Sequence, residues 1–337
     1  MHIPDGMLDT KTFSTLWVGA GAGIAYAAYW IRKNFDSSKV VLMAVMAALI
    51  FALQMLNFPI AGGTSGHFAG GALAGIMLGA WPGAIVMTGV LVIQALFFGD
   101  GGITTLGANI VNLGIIGCFA GALIYQLFQR ISRSYISKIT GAFVGALIAV
   151  VSSSVFVALE LWISGSAQFT AALTAMVFWH TIIGIGEGVI TGGIIAYVAK
   201  VRPQILEEGV QNSKGSLKSV VVVFSILALL AAGLSFLASA YPDGLEYVYF
   251  EMGIGTAPVA EETLIPALMP SYLLPGVSNE LFSSIGAGIV GTLVTGALIW
   301  AAALGLSRKA QSKEKANAAT GDTDKTSGEI HGSEENS

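Results

Sequence analysis

The chain opens MHIPDGMLDT, with a histidine at position 2. That placement brings three nitrogens within chelating reach of one another: the terminal amine of Met1, the amide of His2 and His2 Nδ1. Amine and amide close a five-membered ring around a metal ion, and amide and imidazole close a six-membered one. A fourth nitrogen would complete a square plane, the geometry of nitrogen sites for Ni(II) or Cu(II). The amide binds well only after losing its proton, so loading releases protons and weakens in acid. The candidate for the fourth nitrogen is His67, in GGTSGHFAGG (62–71), where glycines let backbone and ligand come close. The same two histidines also fit a plainer description: an exposed side chain at a frayed chain end, and an interfacial residue at a membrane surface. Spacing alone leaves both descriptions open.

The elements that must position these residues are apolar. The 337 residues are 54% hydrophobic and 11% charged, against about a quarter charged in ordinary soluble domains. Runs such as VVLMAVMAALIFALQML (40–56) and VVVFSILALLAAGLSFLASA (221–240) have the length of a bilayer-spanning helix. The expected fold is an all-α, polytopic membrane helix bundle. Seven spans are read at 12–31, 40–57, 67–80, 83–98, 105–128, 139–164 and 170–199, and two more near 218–240 and 282–306. These give a metal-binding membrane unit over 1–202, a cytoplasmic linker over 203–217, a two-helix unit with an outer loop over 218–306, and a disordered tail over 307–337. Spans 3 and 4 are short and interrupted by Pro82, so they read either as two crossings or as a re-entrant pair covered by protein. Among the 43 glycines, GALAGIMLG (71–79) and GAFVG (141–145) repeat the small-xxx-small spacing that lets helices approach closely in lipid.

Basic residues set the orientation. Arg32, Lys33 and Lys39 follow span 1; Arg130, Arg133 and Lys138 follow span 5; Lys200, Arg202, Lys214 and Lys218 follow span 7. Arg308, Lys309, Lys313, Lys315 and Lys325 follow span 9, and only Lys11 falls on the opposite side. The positive-inside rule then puts the N-terminus outside and the C-terminus in the cytoplasm. Asp5 and Asp9 stand where a secretory signal would be basic, so the first ten residues are expected to survive into the mature protein. The loop 241–280 carries Asp243, Glu246, Glu251, Glu261, Glu262 and Glu280 and no Lys or Arg. It either concentrates cations or simply follows the same charge rule. The single cysteine, Cys118, excludes internal disulfides and Cys-cluster metal sites and reads as core filler. No G-x-x-x-x-G-K-[ST] or H-E-x-x-H occurs, and GAGAG (19–23) has no strand before it. ATP binding by a P-loop, zinc proteolysis and a dinucleotide fold are therefore unsupported, and no nucleic-acid partner is expected.

MHIPDGMLD, GGTSGHFAGG, LGANIVNLGIIG (106–117) and HTIIGIGEGVIT (180–191) together resemble the CbiM/NikM family over roughly residues 1–202. YPDGLEYVYFE (241–251) resembles the PDGLE module, a NikN-like small subunit, here fused behind the first unit. The family comprises substrate-binding membrane subunits of energy-coupling-factor transporters for cobalt and nickel. The resemblance implies that Met1, His2 and His67 hold Ni²⁺ or Co²⁺ as transported substrate, with no cofactor, in a bacterial or archaeal plasma membrane. It also implies a T component (CbiQ/NikQ-like) and ATPase subunits (CbiO/NikO-like) as partners, besides membrane lipid. Square-planar geometry and the NikN-like module lean to nickel; cobalt uptake for cobalamin synthesis stands close behind.

Other polar groups read two ways. His180 and Glu187, seven residues apart on one helix face, either support the ligands or satisfy each other's helices. Asn109 and Asn112 either buttress the N-terminal segment or His67, or hold helices together. Ala44, Ala48 and Ala52 line one helix face; resemblance to this transporter class implies T-component docking there, and ordinary bundle packing explains it equally. The competing functions are a membrane metal sensor, which would need a folded output domain that 307–337 does not supply, and a metalloenzyme, which would need an open coordination position. An ion-coupled secondary carrier would need midplane carboxylates and internal repeats.

Overall fold

A computed structural model describes residues 1–34, 40–207, 217–256 and 265–321. Lys39, Lys214, Glu261, Glu262, Lys325 and the linker stretch 208–216 lie outside the described residues. Apart from one two-stranded hairpin, the described elements are helical.

Helix α1 (Thr10–Asn34) precedes α2 (Val40–Gln54) and the hairpin β1 (Phe58–Ile60) and β2 (Thr64–Gly66). Then come α3 (Gly71–Leu78), α4 (Ala80–Phe98), α5 (Leu106–Ile131), α6 (Tyr135–Ile163) and α7 (Phe169–Val201). A short α8 (Pro203–Glu207) precedes α9 (Lys218–Gly233), the small α10 (Gly244–Glu246) and α11 (Glu280–Gly321). Among the described residues, five segments are long and apolar enough to cross a membrane: α4, α5, α6, α7 and Glu280–Leu306 of α11. Helices α2 and α9 are shorter, at 15 and 16 residues. Helix α2 is tolerated at that length because α4, α9 and α11 surround it and bury nearly all of it.

Of the two readings left open for spans 3 and 4, two separate crossings is not the one observed. Residues 58–66 form the hairpin, and α3 has only eight residues, about 12 Å of helix. It does not cross alone. The irregular backbone at 67–70 is buried, as backbone at membrane depth must be. Small residues make that burial possible. A methyl group on Gly71 would sit 2.5 Å from the Leu113 carbonyl oxygen, and one on Gly145 2.9 Å from that of Gly121. Both small-xxx-small motifs therefore mark close helix crossings.

Two boundaries also differ from expectation. Helix α11 runs on to Gly321, where disorder was expected from 307. The stretch SRKAQSKEKANAATG is polar but rich in Ala, Lys, Glu and Gln, all strong helix formers. The start of the expected linker is packed: Ile205 is buried and Glu207 pairs with Lys138 at 2.6 Å.

Candidate metal centre

The first nine residues form no helix, yet Met1, Ile3, Met7 and Leu8 are buried. Main-chain and side-chain bonds tie them down at alternate positions. Asn109 on α5 accepts the Ile3 N–H at 2.8 Å and donates to the Ile3 carbonyl at 3.1 Å. That carbonyl also accepts from the Gly102 N–H at 2.9 Å and from the Thr105 hydroxyl. The Asp5 carboxylate accepts from the Thr104 N–H at 2.8 Å, and the Met7 carbonyl accepts from Ser166 at 2.6 Å. Gly102 is required here, because a Cβ would meet Asp5 N at 2.3 Å. The N-terminus is thus a threaded segment, bonded at Ile3, Asp5 and Met7.

His67 leaves the end of β2. The hairpin pairs Phe58 with Gly66 and turns through Gly62 and Gly63 at φ 112° and 93°. Glu187 of α7 fixes the next turn: its carboxylate accepts the N–H groups of Ala69 at 2.7 Å and Gly70 at 3.1 Å, at the start of α3. This is a helix N-terminus whose first free N–H groups are bonded by a buried carboxyl group. Gln54 donates to the Ala69 carbonyl at 2.7 Å.

The two segments meet. The terminal nitrogen of Met1 lies 3.3 Å from His67 Nε2. The His2 and His67 rings stack with centroids 5.0 Å apart and planes 17° apart. Two carboxylates complete the cluster. Asp100, in the loop after α4, sits 3.1 Å from His2 Nδ1. Asp243, from the C-terminal unit, pairs with the terminal ammonium and lies 3.7 Å from His67 Nδ1. Among the described residues no three His, Cys, Asp or Glu side chains are grouped so as to hold a metal ion. Any chelate here must draw on the terminal amine and main chain.

The C-terminal unit lies directly on this site. The Ser65 N–H donates to the Pro242 carbonyl and the Ser65 hydroxyl to the Tyr241 carbonyl, both at 2.8 Å. Asp243 caps α10 by accepting from the N–H groups of Leu245 and Glu246, while the Glu246 side chain accepts from the Asp243 N–H, a capping box. Tyr272 donates to Asp100 at 2.5 Å and stacks on Phe98. A cavity of about 730 Å³ between the units is lined by His2, His67, Asp100, Asp243, Glu246 and Tyr272, among others.

Burial, the charged amine and His2 together push His67 down to about 3, so its ring is neutral near pH 7. Burial alone would raise Asp100 and Asp243. The His2 ring beside Asp100 and the terminal ammonium beside Asp243 outweigh it, so both carboxyls stay well below the usual range.

The remaining sequence candidates divide. Asn109 and Glu187 hold the segments that carry His2 and His67. His180 is buried and lines a small cavity with Met1, His67 and Gly244, but its Nδ1 pairs with the Met176 carbonyl of its own helix at 2.8 Å. Asn112 follows the helix-joining alternative and donates to Glu160 of α6 at 2.8 Å. The Ala44, Ala48 and Ala52 face follows the bundle-packing alternative. The chain's own α11 covers it, and a methyl on Gly296 would lie 3.4 Å from both the Ala44 carbonyl and Ala48 Cβ. Sequence reasoning assigned no site role to Asp100, Tyr272 or Asp5, and read Asp243 only as part of an acidic loop. The D-x-x-E spacing of PDGLE was the available signal for Asp243, since it marks a helix N-cap.

Residues 2–205 match the CbiM family model, described as "Cobalt uptake substrate-specific transmembrane region", and residues 218–308 match the PDGLE domain. The chain belongs to the CbiM family. As a member with a fused PDGLE domain it is a multi-pass membrane transport protein rather than an enzyme. It is 38% identical over 300 residues to an Archaeoglobus fulgidus protein provisionally named a fused nickel transport protein, NikMN, covering 88% of this chain and 96% of that one. It is 30% identical to the Geobacter sulfurreducens cobalt transport protein CbiM, covering 69% and 70%. A solved transition metal transporter aligns with TM-score 0.54 and 33% identity, covering 64% of this chain and all of that one.

Proposed function

We propose that the chain is the substrate-binding membrane subunit of an energy-coupling-factor importer that captures Ni²⁺ on the outer face. The ligands are the Met1 amine, the His2 amide and Nδ1, and His67. The observation that carries this reading is the buried terminal nitrogen 3.3 Å from His67 Nε2, with His2 stacked on the same ring. A buried, threaded terminus serves no packing need that an internal residue would not meet. Metal loading then replaces the two carboxylate contacts by four nitrogens. Glu187 and Asn109 keep the two segments in register while this happens, and His180 supports them from beneath.

The chain carries no nucleotide motif, so transport draws on ATPase subunits of the CbiO/NikO kind, joined through a CbiQ/NikQ-like T component. The N-terminus faces outward and the C-terminus the cytoplasm, by the distribution of Arg and Lys. Nickel is favoured by the square-planar nitrogen set and by the fused relatives named for nickel. Cobalt is the second reading, favoured by the description of the family model and by relatives named for cobalt.

The test is an added residue before Met1. It moves the amine away from His67 and abolishes high-affinity nickel binding while leaving thermal unfolding intact. Undiminished affinity in the extended chain would refute the N-terminal chelate.

A further inference from the structure

We infer that Asp243 and Asp100 are capture ligands, which take the divalent cation on carboxylate oxygen in the cavity between the units and pass it to the nitrogens. This rests on the N-terminal chelate proposed above. It assigns the C-terminal unit a direct part in metal acquisition, because that unit supplies Asp243 and, through Tyr272, orients Asp100.

Four observations lead here. Each carboxylate touches a nitrogen of the chelate: Asp243 pairs with the Met1 amine and lies 3.7 Å from His67 Nδ1, and Asp100 lies 3.1 Å from His2 Nδ1. Both line the same 730 Å³ cavity as the two histidines. That cavity is lined by Asp100, Asp243, Glu246 and Glu280 and by no Lys or Arg. Finally, polar atoms aimed into it lack partners among the described residues. His2 Nε2 and Gln54 Oε1 have no hydrogen bond, though His2 is 5% and Gln54 2% exposed.

The chemistry follows from ligand preference. A hydrated dication arrives with an oxygen shell, and carboxylate oxygen suits it as water does, whereas imidazole and amine suit the bound transition metal. Carboxylates therefore replace waters before nitrogens do. Asp243 and Asp100 stand where such exchange must occur, since neither the amine nor His2 Nδ1 can coordinate until its carboxylate lets go, and the ammonium and the His2 amide must each give a proton to cavity water. Both are held rigidly, Asp243 by its capping box and Asp100 by the Tyr272 hydroxyl. A hand-off of this kind lowers the barrier between the two states, while the ion pairs of both carboxylates stabilise the unloaded one. Its kinetic mark is that association and dissociation change together.

The experiment is stopped-flow mixing of the full chain, in detergent or nanodiscs, with nickel chloride. Association, dissociation and equilibrium affinity are followed for wild type, Asp243→Asn, Asp100→Asn, Glu280→Gln and the chain extended before Met1. Asparagine is a good N-cap and still accepts from Leu245 and Glu246, so Asp243→Asn keeps the turn; unfolding midpoints verify this. The expected result is association slowed about tenfold in each Asp variant, within the range that charged clefts contribute. Dissociation slows at least as much, because the unloaded form also loses its ion pair, so affinity is kept or rises. Glu280→Gln removes the same charge from the cavity wall and slows association less.

Unchanged rates in Asp243→Asn would overturn the hand-off, and so would faster association, which would make Asp243 a competitor for the amine. Faster dissociation with lost affinity would make it a permanent ligand and overturn the hand-off as well. Equal slowing by Glu280→Gln would reduce the effect to general attraction. The chelate fails on a separate arm: undiminished affinity in the extended chain refutes it whatever the Asp variants show.

Discussion

Asn109 holds Ile3 from both sides, accepting its N–H at 2.8 Å and donating to its carbonyl at 3.1 Å. No other side chain in the described structure makes both main-chain bonds of an N-terminal residue, and Ile3 adjoins the two residues proposed to chelate. Leaving a buried donor or acceptor unsatisfied costs about 1–3 kcal/mol. Asn109→Ala is therefore expected to weaken nickel binding by about tenfold to a hundredfold while leaving every proposed ligand in place. Asn109→Asp keeps the acceptor and falls between. Isothermal titration of the three proteins measures the order, and equal affinity in Asn109→Ala would show that the clamp does not position the chelate.

Glu187 does for the His67 segment what Asn109 does for the other, through two main-chain donors, Ala69 and Gly70. Glu187→Gln keeps one good acceptor and Glu187→Ala keeps none. With each orphaned amide costing about 1–3 kcal/mol, the expected order of thermal midpoint is wild type, then Gln, then Ala. Amide exchange at Ala69 and Gly70 should speed up in the same order. A Glu187→Ala protein with wild-type protection at both amides would remove the carboxylate from any positioning role.

These residues also show where sequence reading succeeds and where it stops. Met1, His2 and His67 were singled out by residue type, position and family resemblance together, spacing alone leaving them open, and the structure brings them together. The partners of Glu187 were not, because they are main-chain groups and carry no residue signature. Asp243 was masked by the positive-inside rule, which explains an acidic outer loop with no site at all. The Ala44, Ala48 and Ala52 face was read either as T-component docking or as bundle packing; composition does not say whose helix packs there, and Gly296 of the same chain does. Hydropathy merged residues 67–80 into one span, since a buried irregular segment is as apolar as a helix.

His67 and His180 make contrasting substitutions. His67 Nε2 faces the terminal nitrogen at 3.3 Å, whereas His180 Nδ1 is engaged by the carbonyl of Met176. Removing one of four nitrogens should lower nickel affinity by more than about a hundredfold, the upper range for outer supporting groups. His180→Ala should lower it by about tenfold or less. Binding isotherms decide, and a larger loss in His180→Ala would exchange the two roles.

The last test removes the C-terminal unit. A chain ending at Glu207 keeps the Lys138 pair at 2.6 Å and every proposed nitrogen ligand. It loses Asp243, Tyr272 and the helix over the alanine face of α2. The first unit should fold without them, since a solved transporter of which all aligns covers only 64% of this chain. In a bilayer, lipid can replace α9 and α11 against α2, because lipid tails are as apolar as the helices they replace. The shortened chain is thus expected to keep nickel affinity within about tenfold of wild type, the span in which related interfaces differ mainly in rates. Association should be slower, because Asp243 is gone and Asp100 has lost its tyrosine. Transport should be poor even with T component and ATPases present, since slow capture limits each cycle. Uptake of radioactive nickel into vesicles, measured beside equilibrium binding of the same protein, separates the possibilities. Wild-type uptake by the shortened chain would make the PDGLE unit dispensable. Lost binding in a folded protein would place part of the metal site in the removed segment, with Asp243 the first residue to restore.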